Sequence, residues 1–137
     1  DGWLELLMSD VIEPKLAELD QPVFIYDFPA SQAQLAKIKI DEEGNLVAAR
    51  FELYAGGLEL ANGYDELLDV EELRQRFKLD NQQRMSLGKQ EMPIDSQLLE
   101  AMEAGLPQCT GVALGLDRLL MLVLKKEEIN QVIFENC

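Results

Sequence analysis

One stretch constrains the fold of this chain more than any other. Leu46-Val47-Ala48-Ala49-Arg50-Phe51-Glu52-Leu53-Tyr54-Ala55 is followed, across Gly56-Gly57, by Leu58-Glu59-Leu60-Ala61-Asn62. Paired glycines supply the positive φ angles that a tight hairpin turn demands. A β-hairpin over Leu46 to Tyr64 is therefore predicted, and the remaining elements must fit around it.

Upstream, Leu4, Leu7, Met8, Val11, Ile12 and Leu16 have helical spacing over residues 3–19 despite Pro14. Val23 to Phe28 reads as a buried strand stopped by Pro29, and Leu35 to Ile40 as a second strand before the charged turn Asp41–Asn45. Downstream, residues 70–88 form a polar amphipathic helix with Val70, Leu73, Phe77 and Met85 on its buried side and Gly88 as its cap. A helix over Asp95–Ala104 stops at Gly105. A glycine-interrupted strand Thr110–Leu116 then leads into an apolar helix from Asp117 through Lys125, and Gln131–Phe134 reads as a last short strand. Hairpins outnumber alternating strand–helix units. The expected class is α+β, an antiparallel sheet flanked by helices.

Composition narrows the function. Twelve Lys and Arg face 26 Asp and Glu, a formal net charge of −14. Such a surface repels phosphate backbones and anionic membranes and favours cationic ligands, divalent metals or a basic protein face. There is no His, which excludes Ser-His-Asp catalysis, Cys-His catalysis and His-containing zinc sites within this chain. Cys109 and Cys137 show no framework spacing, as expected of a reducing compartment. The longest apolar run, Leu119–Leu124, is too short to span a bilayer, and no leader is recognisable. The start at Asp1 rather than Met is expected of a fragment or a processed terminus.

Within the hairpin, a two-residue turn at Gly56-Gly57 sets Tyr54 opposite Glu59 and Glu52 opposite Ala61. Glu52 and Glu59 are then diagonal neighbours on one face, with Cβ atoms roughly 7 Å apart. Two carboxylates at that spacing can share divalent cations bridging to a polyphosphate. Ordinary solvent-facing strand residues fit the same spacing. Asn62, Tyr64 and Glu66 share parity on an extended strand, and an amide, a ring and a carboxylate suit a ligand carrying an ammonium group. Glu59 has the opposite parity, so one pocket can use both sets only if the strand bulges near Ala61–Gly63. Asn62-Gly63 also fits a simple turn.

Gly111-Val112-Ala113-Leu114-Gly115-Leu116-Asp117-Arg118 pairs a strand thinned by glycines with a helix start. Arg118 stands in the first helical turn, against the helix's positive end, where phosphate binding would account for it. Compensation by Asp117 would account for it equally.

Taken together, Arg50-Phe51-Glu52, Gly57 to Leu67, and Gly111 to Arg118 resemble class II lysyl-tRNA synthetases in order and spacing. The last segment is similar to motif 3 of that class. The resemblance runs from Pro22-Val23-Phe24 to Val132-Ile133. It implies the catalytic-domain fold of class II aminoacyl-tRNA synthetases and an ATP-dependent ligase. It implies that Glu52 and Glu59 hold the Mg2+ ions bridging the phosphates of ATP, and that Arg118 contacts the γ-phosphate. Glu59 and Arg118 would be the catalytic pair. Asn62, Tyr64 and Glu66 would line the lysine pocket, with Glu66 near the substrate ammonium.

Phe28-Pro29-Ala30-Ser31-Gln32-Ala33, Pro107 to Gly111 and Ala113 are more similar to the paralogous ligases that attach (R)-β-lysine to elongation factor P. One methyl group at Ala113 on the pocket wall is worth roughly 1–3 kcal/mol of discrimination between lysine isomers. This resemblance implies a cytoplasmic enzyme, homodimeric at full length, with lysine or β-lysine as substrate and elongation factor P as acceptor. It does not favour tRNA or a membrane. Asp65 departs from the paralogues, which commonly have His there. Motif 1 and a Phe-Arg-x-Glu motif 2 are absent, so residues 1–137 are expected to be a poor catalyst alone. The alternatives are a C-terminal piece of a lysyl-tRNA synthetase and an inactive assembly module.

Overall fold

A computed structural model of the chain describes residues 2–133. The N-terminal helical segment forms as α1 (Gly2–Leu7) and α2 (Glu13–Ala17), joined through a π-helical turn at Met8–Ile12. Pro14 accounts for that turn. Its ring crowds the carbonyl four residues back and it has no N–H to donate, so a wider turn ahead of it relieves both conflicts.

Strand β1 (Val23–Pro29) runs one residue past the expected stop, since Pro29 pairs with Val47. It can do so because β1 is an edge strand and Pro29 its last residue, where a missing N–H is tolerated. Only Ile38–Ile40 of the second expected strand is extended (β2), while Ala36 makes a single bridge to Glu66. The carbonyls of Gln34 and Ala36 are taken by Arg76 instead of a ladder. The hairpin forms as predicted and runs slightly longer. It comprises β3 (Leu46–Ala55) and β4 (Leu58–Asp65), with Gly56 at φ 57° and Gly57 at φ 77°. Asn62-Gly63 is strand, not turn.

Helices α3 (Val70–Ser86) and α4 (Ser96–Glu103) begin at Asp69 and Asp95, each of which accepts two backbone N–H bonds. Leu73 is fully buried and Val70 and Phe77 pack beside it, but Met85 is exposed. The buried residue of the later turns is Asn81, whose amide bonds both the N–H and the C=O of Met92. A polar side chain can occupy that place because both its ends are satisfied. Strand β5 (Thr110–Leu114) is shorter than expected, because Gly115 is already the N-cap of α5 (Leu116–Leu124). The last expected strand, Gln131–Phe134, does not form over its described part. Ile129–Gln131 is a 3-10 turn, and Phe134 lies outside the described residues.

The sheet is antiparallel throughout, in the order β1-β3-β4-β5, with β2 on the lower end of β3. With its helices it makes the α+β architecture expected. One core cluster (Phe28, Ala33, Ala36, Ala48, joined by Ile25 and Tyr64) sits under the sheet, and a second (Leu67, Leu73, Leu99) joins α3 to α4. No helix among the described residues is long and apolar enough to cross a membrane.

Candidate active site

Two single-residue bulges decide which side chains meet. In β1 the pairing with β3 shifts between Tyr26 and Phe28, and Asp27 has a positive φ of 58°. The shift brings Phe28 onto the face of Ile25, opposite Ala48 and beneath Arg50. In the hairpin, Tyr54 pairs with Glu59 as predicted, but Glu52 pairs with Asn62 rather than Ala61. The extra residue is Leu60, slightly ahead of the stretch where parity required a bulge. Glu52, Tyr54, Glu59, Asn62 and Tyr64 consequently share one face of the sheet.

On that face Glu52 is the centre of a buried polar cluster. Its Oε1 accepts from Arg50 Nη2 and, at 3.1 Å, from Asn62 Nδ2, and its Oε2 accepts from Tyr54 Oη at 2.8 Å. Arg50 also donates from Nη1 to the Gln32 carbonyl at 3.1 Å and from Nε to Asn62 Oδ1 at 3.4 Å. Its guanidinium lies 4.4 Å from the ring centroid of Phe28 and 5.9 Å from that of Tyr64. Burial, the hydrogen bond to Glu52 and the charges of Glu52, Glu13 and Glu59 hold the Tyr54 hydroxyl far above its ordinary pKa. Burial likewise raises that of Tyr64, with Arg50 opposing. Tyr54 is thus a neutral donor to Glu52.

Glu59 is half-buried at the rim. Asn62 Nδ2 lies 3.4 Å from its Oε1, so one amide reaches both carboxylates. Arg118, from the first turn of α5, donates to the Glu59 carbonyl at 2.8 Å and stands 3.6 Å from Glu59 Oε2. Ala113 pairs directly with Asn62 and Gly111 with Tyr64. A Cβ at Gly111 would overlap the Glu66 carboxylate, so the glycine makes room for Glu66. Asp65, the departure noted in sequence, forms an ion pair with Lys37 at 2.7 Å.

Two cavities meet at Glu59. One, of about 500 Å³, is lined by residues of α1, α2, α3, the loop after β1 and the polar cluster, among them Glu5, Glu13, Gln34, Glu52 and Asp80. The other, of about 330 Å³, runs between Asn62, Ala113, Gly115 and Arg118. Of the candidate residues, the first brings together Glu52 and Glu59, and the second Glu59, Asn62, Ala113 and Arg118. Tyr64 and Glu66 line neither. Tyr64 packs on the Phe28 cluster and reaches Gln34 with its hydroxyl, and Glu66 lies against Gly111.

The donor set bears on a metal. Among the described residues no three Asp, Glu, Cys or His converge on a protein-only metal centre. Two carboxylates joined through one amide, with Arg118 alongside, suit Mg2+ held partly by substrate phosphate oxygens. Glu52 and Glu59 therefore fit a metal–nucleotide rather than a resident ion.

The family model for tRNA synthetases class II (D, K and N) matches residues 12–134. The chain belongs to that family. Among class II proteins it is 54% identical over 133 residues to a Proteus mirabilis protein named elongation factor P–(R)-β-lysine ligase, covering 97% of this chain and 40% of the relative. It is 53% identical over 132 residues to a Vibrio cholerae protein of the same name, covering 96% and 40%, and 50% identical over 133 residues to one from Pectobacterium atrosepticum, covering 97% and 40%. This class II chain spans 40% of the length of the curated relatives it matches.

Arg50 and Gln34 were not singled out by sequence. Arg50 had a signal, since a buried-strand arginine two residues from Glu52 shares its face by parity. Gln34 had none, because its place on the cavity wall depends on a loop conformation.

Proposed function

We propose that the full-length protein activates lysine or (R)-β-lysine with ATP and Mg2+ and transfers it to a lysine side chain of elongation factor P. The observation that carries this reading is the meeting of Glu52, Glu59 and Asn62 on one sheet face beside Arg118. The names of the relatives supply the amino acid and acceptor, and the charge of −14 favours a protein acceptor over tRNA.

In this reading the amino acid carboxylate attacks the α-phosphorus of ATP, and the bond to the β-phosphate breaks with release of pyrophosphate. Mg2+, when bound, neutralises charge on the triphosphate. Glu52 and Glu59 hold the metal–nucleotide, with Glu52 oriented by Arg50, Tyr54 and Asn62. Arg118, beside Glu59, adds positive charge at the γ-phosphate. Ala113 and Asn62 bound the smaller cavity, which meets the larger one at Glu59, and the amino acid lies across that junction with its isomer read against Ala113. The acceptor amine then attacks the adenylate carbonyl and AMP leaves.

ATP–pyrophosphate exchange by the full-length protein, with α-lysine and with (R)-β-lysine, tests this directly. Preference for β-lysine is expected. Preference for α-lysine would move the assignment to a lysyl-tRNA synthetase, and no exchange with either would leave an inactive module.

A further inference from the structure

Among the residues that line the larger cavity, Gln34 is the one with a left-handed backbone, at φ 50°. A side chain bearing a Cβ is strained there and stays only if its surroundings hold it. The holding contacts come from three elements. Arg76 of α3 donates from Nη1 to the Gln34 carbonyl at 2.7 Å and to the Ala36 carbonyl at 2.8 Å, while its Nη2 is tied to Glu72. Backbone bonds from Ala36 N to Ala33 O and from Leu67 N to Leu35 O pin the loop on both sides. Tyr64 Oη, from β4, donates to Gln34 Oε1 at 2.6 Å.

This last bond decides what Gln34 can offer. One lone pair of its amide oxygen is taken and the amide is oriented by it, which leaves both N–H donors of Nε2 to offer. The same cavity wall carries Glu5, Glu13, Glu52, Glu59 and Asp80, while its one arginine, Arg50, is engaged with Glu52, Gln32 and Asn62. Among the described residues, an amino acid entering there meets many acceptors for its ammonium groups and few donors for its carboxylate. We infer that Gln34 is an amino-acid-binding residue of this cavity, held by Tyr64 and Arg76 so that its amide nitrogen donates to the carboxylate of the bound amino acid. The inference rests on the ligase reading for the identity of that amino acid.

The test uses the full-length protein with Gln34→Glu, Gln34→Ala and Gln34→Gly. Binding of lysine and (R)-β-lysine is followed by calorimetry, ATP binding in parallel, and the melting temperature of each variant is recorded. Glutamate keeps the shape and still accepts from Tyr64, but turns the donor into an acceptor beside a carboxylate. Amino acid affinity is expected to fall about tenfold or more in Gln34→Glu and about threefold in Gln34→Ala, with ATP affinity unchanged. Gln34→Gly is expected to melt higher, because the strain is gone, and yet to bind the amino acid more weakly. A merely structural residue would not separate those two effects. Equal or tighter amino acid binding by Gln34→Glu, with wild-type exchange intact, overturns the inference and spares the ligase reading. A wild-type protein that binds neither amino acid overturns the ligase reading and the inference with it.

Discussion

On one face of the sheet Arg50, Glu52 and Tyr54 are 9%, 6% and 4% exposed, while on the other Phe24, Tyr26 and Val112 are 57%, 69% and 63% exposed. The two faces alternate along the same strands, so their difference is not one of local propensity. Burial on the first face follows from hydrogen bonding. Glu52 has three donors, Arg50 has three acceptors, and no buried side-chain nitrogen or oxygen among the described residues lacks a partner. The second face is apolar and largely open, with Phe24 edge-on to Phe51 at 5.6 Å and Leu114 beyond. Polar groups can therefore form the interior when every one is paired, and apolar groups can remain outside when nothing covers them.

The comparison breaks most severely at Arg50. Arg50→Met should strand a buried Glu52 carboxylate and cost about 3–5 kcal/mol, read by urea unfolding. Adding Glu52→Gln should recover part of that loss, and a full-sized loss in the double variant would show that Arg50 matters by packing alone. Next comes Glu59→Ala, at the rim of the same face. In the full-length enzyme it should lower adenylate formation by about 10²–10³-fold while leaving the unfolding midpoint almost unchanged. Near-normal adenylation by that variant would remove Glu59 from the proposed metal–nucleotide site. Gly111→Ala tests the close approach of Glu66 and should cost about 1 kcal/mol or less, since the carboxylate that the new methyl overlaps ends a flexible side chain that must turn aside. A silent substitution, by thermal melting, would mean that Glu66 swings free.

The smallest effects belong to the open face. Tyr26→Thr and Val112→Thr should each change stability by about 0.5 kcal/mol or less, because these side chains bury little. They should nonetheless reduce concentration-dependent association of residues 1–137 in sedimentation, because they dilute an exposed apolar patch. Unchanged association would place the contact elsewhere.

Much of this was legible in the chain itself. Gly56-Gly57 specified the hairpin, since positive φ is a property of single residues and glycine alone reaches it freely. Asp95 marked a helix start, because a cap bonds only the N–H groups two and three residues on. The family resemblance, rather than spacing alone, singled out Glu52, Glu59, Asn62 and Arg118, which the two cavities bring together. Met85 was misplaced because periodicity says which residues share a helix side, not how far the core extends beneath it. The hairpin bulge could be required but not located at Leu60, and the register shift where Ala49 and Arg50 face Asp27 gave no signal at all. A bulge is set by the register between strands, and a shift of one residue turns every following side chain to the other face. Arg50 became the organiser of the site only when Phe28 and Gln32 arrived from another strand and loop. Local conformation and spacing were thus written in the sequence, whereas face, burial and the partners of each charge were decided by the tertiary structure, because they depend on pairing between residues far apart in the chain.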